Sequence, residues 1–301
     1  MRKRDLTSIF DVTKTEIGDL LQEAVRLKQE KTPSFPLRGK TLAMIFEKSS
    51  TRTRVSFEVG MYQLGGMALF LNSRDIQLSR GETIQDTART ISRYVNGIML
   101  RTFAHQNVAE LAQAATVPVI NGLSDLSHPC QILSDLLTVY EKKGDYRNLT
   151  YAYIGDGNNV LNSWIEAAGV LGISLNIATP PSHRPAHSIL NRAQEMSPRA
   201  IRVFDRPEDA VRDADIVYTD VWVSMGQEDL RSQKLRDFTG FQINESLLGH
   251  AHRDAIVMHC LPAHRGEEIT SGVLDGGQSV VFDQAENRLH MQKAILTFLM
   301  K

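Results

Sequence analysis

Residues 41–60 read TLAMIFEKSSTRTRVSFEVG. An uninterrupted apolar run, 41–46, stops at Glu47, and small hydroxyl residues and two arginines follow. Apolar residues then recur at helical spacing: Val55, Val59 and Tyr62 with Phe57, Met61 and Leu64. A short continuous apolar run suits a strand of a parallel sheet, because crossover helices cover both of its faces. The stretch therefore predicts strand, polar turn, helix, which is the repeating unit of an α/β fold.

The unit recurs along the chain. Further apolar runs are GIML (97–100), VPVI (117–120), TYAYI (150–154), LNIAT (175–179), DIVYT (215–219), AIVMH (255–259) and SVVF (279–282). Helical patterns lie between them, such as Ile132, Leu133, Leu136, Leu137 and Tyr140. TKTE at Thr13 to Glu16 fits a capping box opening a helix that runs to about Lys28. A chain of 301 residues exceeds the usual size of one domain. The charged, glycine-containing segment EKKGDYRN (141–148) is the natural boundary, and QAENRLHMQKAILTFLM (284–300) reads as a helix returning to the first half. The expected division is a domain of residues 1–142 joined by 285–301, and a second of 143–284.

Composition excludes several classes. Lys and Arg total 34 against 35 Asp and Glu, with no basic excess for nucleic acid. No apolar stretch approaches the roughly 20 residues of a membrane span, and the start MRKRDLTSIFDVTKTE lacks the apolar segment of a signal peptide, so a cytoplasmic protein is expected. The only cysteines, Cys130 and Cys260, are too few for a disulfide framework and read as free thiols.

In open parallel sheets ligands bind beyond the carboxyl ends of the strands. Those ends carry Glu47 to Arg54, Arg101, His128 to Gln131, the turn Gly155 to Asn159, Asp220, and Cys260 to Pro262. A helix N-terminus presents unpaired N–H groups and about half a positive charge, so SSTRTR, with hydroxyls on Ser50, Thr51 and Thr53 and a guanidinium on Arg52, reads as a phosphate site. An STR triplet alone is an ordinary capped helix start; the preceding strand, the following helix and a second strand-end arginine change that reading. GDGNNV (155–160) imitates a dinucleotide-binding turn, but Val160 stands at the third glycine position and the next run ends in Thr179-Pro180, where an acidic residue would grip a ribose. Asn159 is read instead as a polar ligand contact. SHRPAHS (182–188) and the pair His250 and His252 are read as solvated loop histidines without an acidic or thiol partner, and no metal is expected.

Taken together, STRTR, HPCQ (128–131), DVWVSMGQE (220–228) and HCLP (259–262), in this order, resemble the motifs of the aspartate/ornithine carbamoyltransferase family over essentially the whole chain. The Ser-Met-Gly loop and the Cys-Leu-Pro segment are similar to the ornithine branch. The resemblance implies two doubly wound parallel-sheet domains, one for carbamoyl phosphate and one for ornithine, with the active site in the cleft between them, and transfer of the carbamoyl group to the δ-amine of L-ornithine without a cofactor. It implies that Ser50, Thr51, Arg52 and Thr53 hold the phosphate, that Arg101 bridges phosphate and carbonyl, that His128 polarises the carbonyl, and that Gln131 fixes the carbamoyl nitrogen. Asn159 would take the ornithine carboxylate, Asp220, Ser224 and Met225 the α-ammonium end, and Cys260 with the Leu261 carbonyl the δ-amine. Arg288 would add a contact to the carbamoyl or phosphate group. Gln77 stands where a neighbouring subunit reaches the phosphate in this family, which implies a homotrimer. Cys130 is assigned no chemistry. Related acceptors, N-acetylornithine and putrescine, and a catalytically silent phosphate-binding protein are the alternatives.

Overall fold

The computed structural model describes residues 3–32 and 34–301. The chain divides into two compact units, Met1–Leu137 with Glu286–Lys301, and Thr138–Ala285. Helix α1 (Lys14–Gln29) opens on the expected capping box, in which Thr13 and Glu16 satisfy each other's backbone donors.

The first unit alternates β1 (Thr41–Phe46), α2 (Thr51–Gln63), β2 (Met67–Asn72), α3 (Ile84–Ile91), β3 (Gly97–Arg101), α4 (His105–Ala114), β4 (Val119–Leu123) and the start of α5 (Pro129–Lys143). All strands pair in parallel, in the order β2-β1-β3-β4. Ala43, Ile45, Ile98, Leu100 and Val119 anchor a core completed by Ala88, Val108 and Leu111 from α3 and α4.

The second unit continues with β5 (Thr150–Ile154), α6 (Asn159–Leu171), β6 (Ser174–Ala178), α7 (His187–Met196), β7 (Ile201–Phe204), α8 (Pro207–Val211), β8 (Ile216–Thr219), α9 (Arg231–Asp237), α10 (Glu245–Leu248), β9 (Ile256–His259) and α11 (Ser271–Leu274). Its five strands are also parallel, in the order β7-β6-β5-β8-β9. Helix α12 (Val281–Met300) returns the chain to the first unit, where Lys293 donates to the Leu27 carbonyl at 3.2 Å.

Both sheets have a topological switch point, between β1 and β3 in the first and between β5 and β8 in the second. Crevices open beyond the carboxyl ends of strands at such points. The polar segments singled out in the sequence, after 46, 101, 154 and 219, follow these four strands.

Two strands lie outside the runs expected from the sequence: MALFL (67–71), an unbroken apolar run, and IRVF (201–204), interrupted by Arg202. β2 and β7 are edge strands with partly exposed side chains. SVVF is not a strand: Ser279 makes one isolated bridge to Val257, and Val281 and Phe282 begin α12.

Candidate active site

The first cluster forms where β1 and β3 end. Ser50 caps α2, its hydroxyl accepting from the Thr53 N–H at 3.2 Å. Thr51, Arg52 and Thr53 make the first helical turn, where N–H groups lack intrahelical acceptors and that of Thr53 is taken by the Ser50 cap. Arg54 is committed elsewhere, bonding Glu58 at 3.1 Å and lying 3.7 Å over the Phe70 ring, so the two arginines of the motif have separate duties.

Arg101 ends β3. Its carbonyl accepts from the Glu47 N–H at 2.8 Å, while the Glu47 carboxylate accepts from the Thr102 hydroxyl and from the Phe103 N–H at 3.4 Å. Glu47 thus locks the loop after β1 to the loop after β3. Lys48 pairs with Asp125 and sits 4.2 Å over Phe103. His128 precedes α5 and Gln131 lies in its first turn. Gln131 donates to Asp135 at 2.8 Å and accepts from Arg288 at 2.6 Å, and Arg288 also donates to the Thr53 hydroxyl at 3.3 Å. Arg288 in α12 therefore ties the STRTR turn to the HPCQ helix.

Thr53, Arg101, His128, Gln131 and Arg288 are each no more than 5% exposed. Burial, followed by the positive charges of Arg288, Arg101 and Arg52, holds the His128 imidazole well below its ordinary value. The depressed value favours the neutral ring, which has one N–H to donate without adding charge. Burial pushes the Cys130 thiol up to about 12, and it bonds the Asn121 carbonyl at 3.5 Å. Gln77 opens a 3-10 turn, Gln77–Arg80, is exposed, and has no hydrogen bond to this cluster among the described residues.

The second cluster forms where β5, β8 and β9 end. Asp220, 6% exposed, accepts from the Cys260 thiol at 2.9 Å and from Asn158 at 2.7 Å. Asn158 also caps α6, its side-chain oxygen accepting from the Val160 and Leu161 N–H groups. Sequence reading chose Asn159, the first residue of α6, and missed Asn158; a polar residue one place before a helical pattern was the available signal. Ser224 is half-buried and Met225 is 48% exposed in a loop that turns at Gly226, φ 88°. Leu261 adopts a left-handed conformation, φ 56°, a strained choice of the kind that clusters at functional sites. Its N–H donates to His259 Nδ1 at 2.9 Å, and His259 Nε2 lies 3.0 Å from Glu268. Asp135 and Glu268 went unnoticed in the sequence because they orient other residues and carry no motif of their own, and Glu47 was read only as the start of a polar segment.

Gly157 is explained by packing: a Cβ there would lie 2.4 Å from the carbonyl carbon of Arg184. The turn is tight because another loop crosses it. His183 corrects the reading of solvated histidines, since Asp237 lies 2.9 Å from Nε2 and Asp156 3.6 Å from Nδ1.

Asp220, His259 and Cys260 bring three metal-capable atoms within 4.8 Å of one another, as do His264, Glu267 and Glu268. In the first set both His259 nitrogens already bond Leu261 and Glu268, and the Cys260 thiol donates to Asp220. Internal hydrogen bonds account for that set.

A two-unit parallel α/β chain with arginines gathered at one switch point and a carboxylate and thiol at the other defines a two-domain transferase. The carbamoyl-P binding domain of aspartate/ornithine carbamoyltransferases matches residues 4–141, and the Asp/Orn binding domain matches 147–299. The chain is 57% identical over 300 residues to the ornithine carbamoyltransferase of Syntrophus aciditrophicus, covering 99% of each. Its fold matches the ornithine carbamoyltransferase of Pyrococcus furiosus with a TM-score of 0.95 at 51% identity, covering 99% of this chain and 97% of that one. The anabolic ornithine carbamoyltransferase of Campylobacter jejuni gives 0.94 at 43% identity, covering 98% of each. The chain belongs to the aspartate/ornithine carbamoyltransferase family.

Proposed function

We propose that this protein transfers the carbamoyl group of carbamoyl phosphate to the δ-amine of L-ornithine, giving L-citrulline and phosphate. The observation that carries the reading is the opposite chemistry of the two clusters: arginines and a neutral imidazole in one, a carboxylate and a thiol in the other. The first suits a dianionic acyl phosphate. The second suits an acceptor with two ammonium groups and offers no pair of cations for the two carboxylates of aspartate.

In this reading the expected domain of residues 1–142 joined by 285–301, close to the first unit (Met1–Leu137 with Glu286–Lys301), is the carbamoyl-phosphate domain and 143–284 the ornithine domain. Ser50, Thr51, Arg52 and Thr53 hold the phosphate. Arg101, His128 and Arg288 stabilise negative charge growing on the carbonyl oxygen, each contact contributing about 3 kcal/mol, while Gln131, oriented by Asp135, fixes the carbamoyl nitrogen. Asn159, Asp220, Ser224 and Met225 orient ornithine, and Cys260 with the Leu261 carbonyl aligns its δ-amine. An amine with a lysine-like pKa of about 10.4 is deprotonated in only about 1 molecule in 2,500 at pH 7, so desolvation among these groups serves the reaction. The amine nitrogen attacks the carbonyl carbon, a tetrahedral intermediate forms, the C–O bond to phosphate breaks, and the departing phosphate takes the amine proton. No cofactor takes part.

The proposal extends to a cytoplasmic homotrimer in which Gln77 reaches a neighbour's phosphate site. Exposed Val55 and Tyr62 on α2 and Met67 and Leu69 on edge strand β2 support an apolar interface of the first unit. Among the described residues no helix is long and apolar enough to cross a membrane.

Citrulline formation from carbamoyl phosphate, with ornithine, N-acetylornithine, putrescine and aspartate compared as acceptors, tests the reading. Turnover with ornithine alone is expected. Preference for another acceptor overturns the reading of the second cluster, and phosphate binding without turnover identifies a silent binding protein.

A further inference from the structure

We propose that Lys234 is a positioning residue for the loop carrying Ser224 and Met225, clamping both feet of that loop to the turn after β5. The proposal rests on the reading of that loop as the ornithine contact. Lys234 lies in α9 and is 4% exposed. An ammonium has three N–H donors, and all three are spent: on Asp156 at 2.6 Å, on the Trp222 carbonyl at 2.8 Å and on the Gln227 side-chain oxygen at 2.8 Å. Trp222 and Gln227 bracket residues 223–226, so one buried cation closes the base of the loop.

Asp156 sits two residues before Asn158, the residue bonded to Asp220. The clamp thus fixes the loop relative to the turn that carries the Asp220 partner. Neighbouring contacts hold the clamp in place. The Trp222 ring stacks on Phe238, centroids 5.2 Å apart, and His183 bridges Asp156 and Asp237, the last residue of α9. Between its anchored feet the loop stays exposed at Met225 and Gly226, and Gly226 sits in the left-handed region, which leaves a movable tip on a fixed base. A buried ion pair contributes little net stability, whereas removal of one partner strands a buried charge. The pair is therefore better suited to fixing geometry than to holding the fold.

The test compares K234M, K234R, D156N and the double variant D156N/K234M with the wild type in steady-state kinetics and in hydrogen exchange of residues 222–227. In K234M the KM for ornithine is expected to rise about tenfold or more, with the KM for carbamoyl phosphate unchanged and exchange at 222–227 accelerated. K234R should restore part of the ornithine KM, and the double variant should be less impaired than the sum of its single changes. If K234M does not fold, the double variant, which strands neither charge, carries the same comparison. An unchanged ornithine KM with unchanged exchange overturns the clamp. A wild type inactive on ornithine overturns the functional reading instead, and the exchange measurement still decides the clamp.

Discussion

At residue scale, the two cysteines differ by environment. Cys130 is buried, with a thiol pushed up to about 12, while Cys260 is partly exposed beside Asp220. Thiolate is the reactive form, so a disulfide reagent at pH 8 should modify one equivalent per native chain, mapped to Cys260 by peptide mass, and a second only after unfolding. Rapid labelling of Cys130 in the native protein would contradict its assignment as an inert core residue. His128 makes a pH prediction. Its folded value is depressed, so as pH falls through about 6.5 the unfolded chain takes up a proton that the folded chain refuses. The favourable contribution is complete above that pH and is lost on acidification. Relative to H128Q, the wild type should therefore lose up to about 1.4 kcal/mol per pH unit below that point, read from urea unfolding at pH 7.5, 6 and 5. Parallel pH profiles would contradict it.

At the scale of elements, the strands that position the site were the legible ones. β1, β3, β5, β8 and β9 have almost wholly buried faces and appear as unbroken apolar runs. β7 keeps side chains in solvent and is interrupted by Arg202, so its run is broken, whereas MALFL in β2 carries the same apolar signal as the other strands although it lies at an edge. SVVF shows the converse error: an apolar run long enough for a strand leads into a helix, with Val281 buried and Phe282 exposed. STRTR, HPCQ, the Asp220 position and HCLP could be read because each follows a strand end. Lys234 could not, because its role depends on a partner 78 residues away that only the fold brings close, and the bond from Asn158 to Asp220 spans 62 residues, whereas Asp135 lies one helical turn from Gln131. The turn after β5 supports a sharp test. With a Cβ at residue 157 lying 2.4 Å from backbone of the crossing loop, G157A should cost about 1–3 kcal/mol in a denaturation midpoint measurement. A neutral result would mean that the 183–184 loop yields without cost.

For the whole molecule, the edge of the first sheet carries the next prediction. If α2 and β2 meet a neighbouring copy, the combined changes Tyr62→Glu and Met67→Lys should shift sedimentation from trimer to monomer and lower turnover through loss of the partner's Gln77. A wild type sedimenting as a monomer would remove the trimer. The two-unit organisation was legible from length and from the repeated strand and helix pattern. The place where the first unit is completed was legible only as a helical pattern near the end of the chain.

That completion bears on how the protein is made. The second unit is one continuous stretch, Thr138–Ala285, whereas the first waits for Glu286–Lys301. Domains commonly mature in the order in which the ribosome releases them. Here the order is inverted: the half begun first is completed only after the second, because Arg288, which bonds Gln131 and Thr53, follows Thr138–Ala285 in the chain. A nascent chain thus carries its arginine-rich turn through the synthesis of the whole second unit without the guanidinium that bonds Thr53 and Gln131.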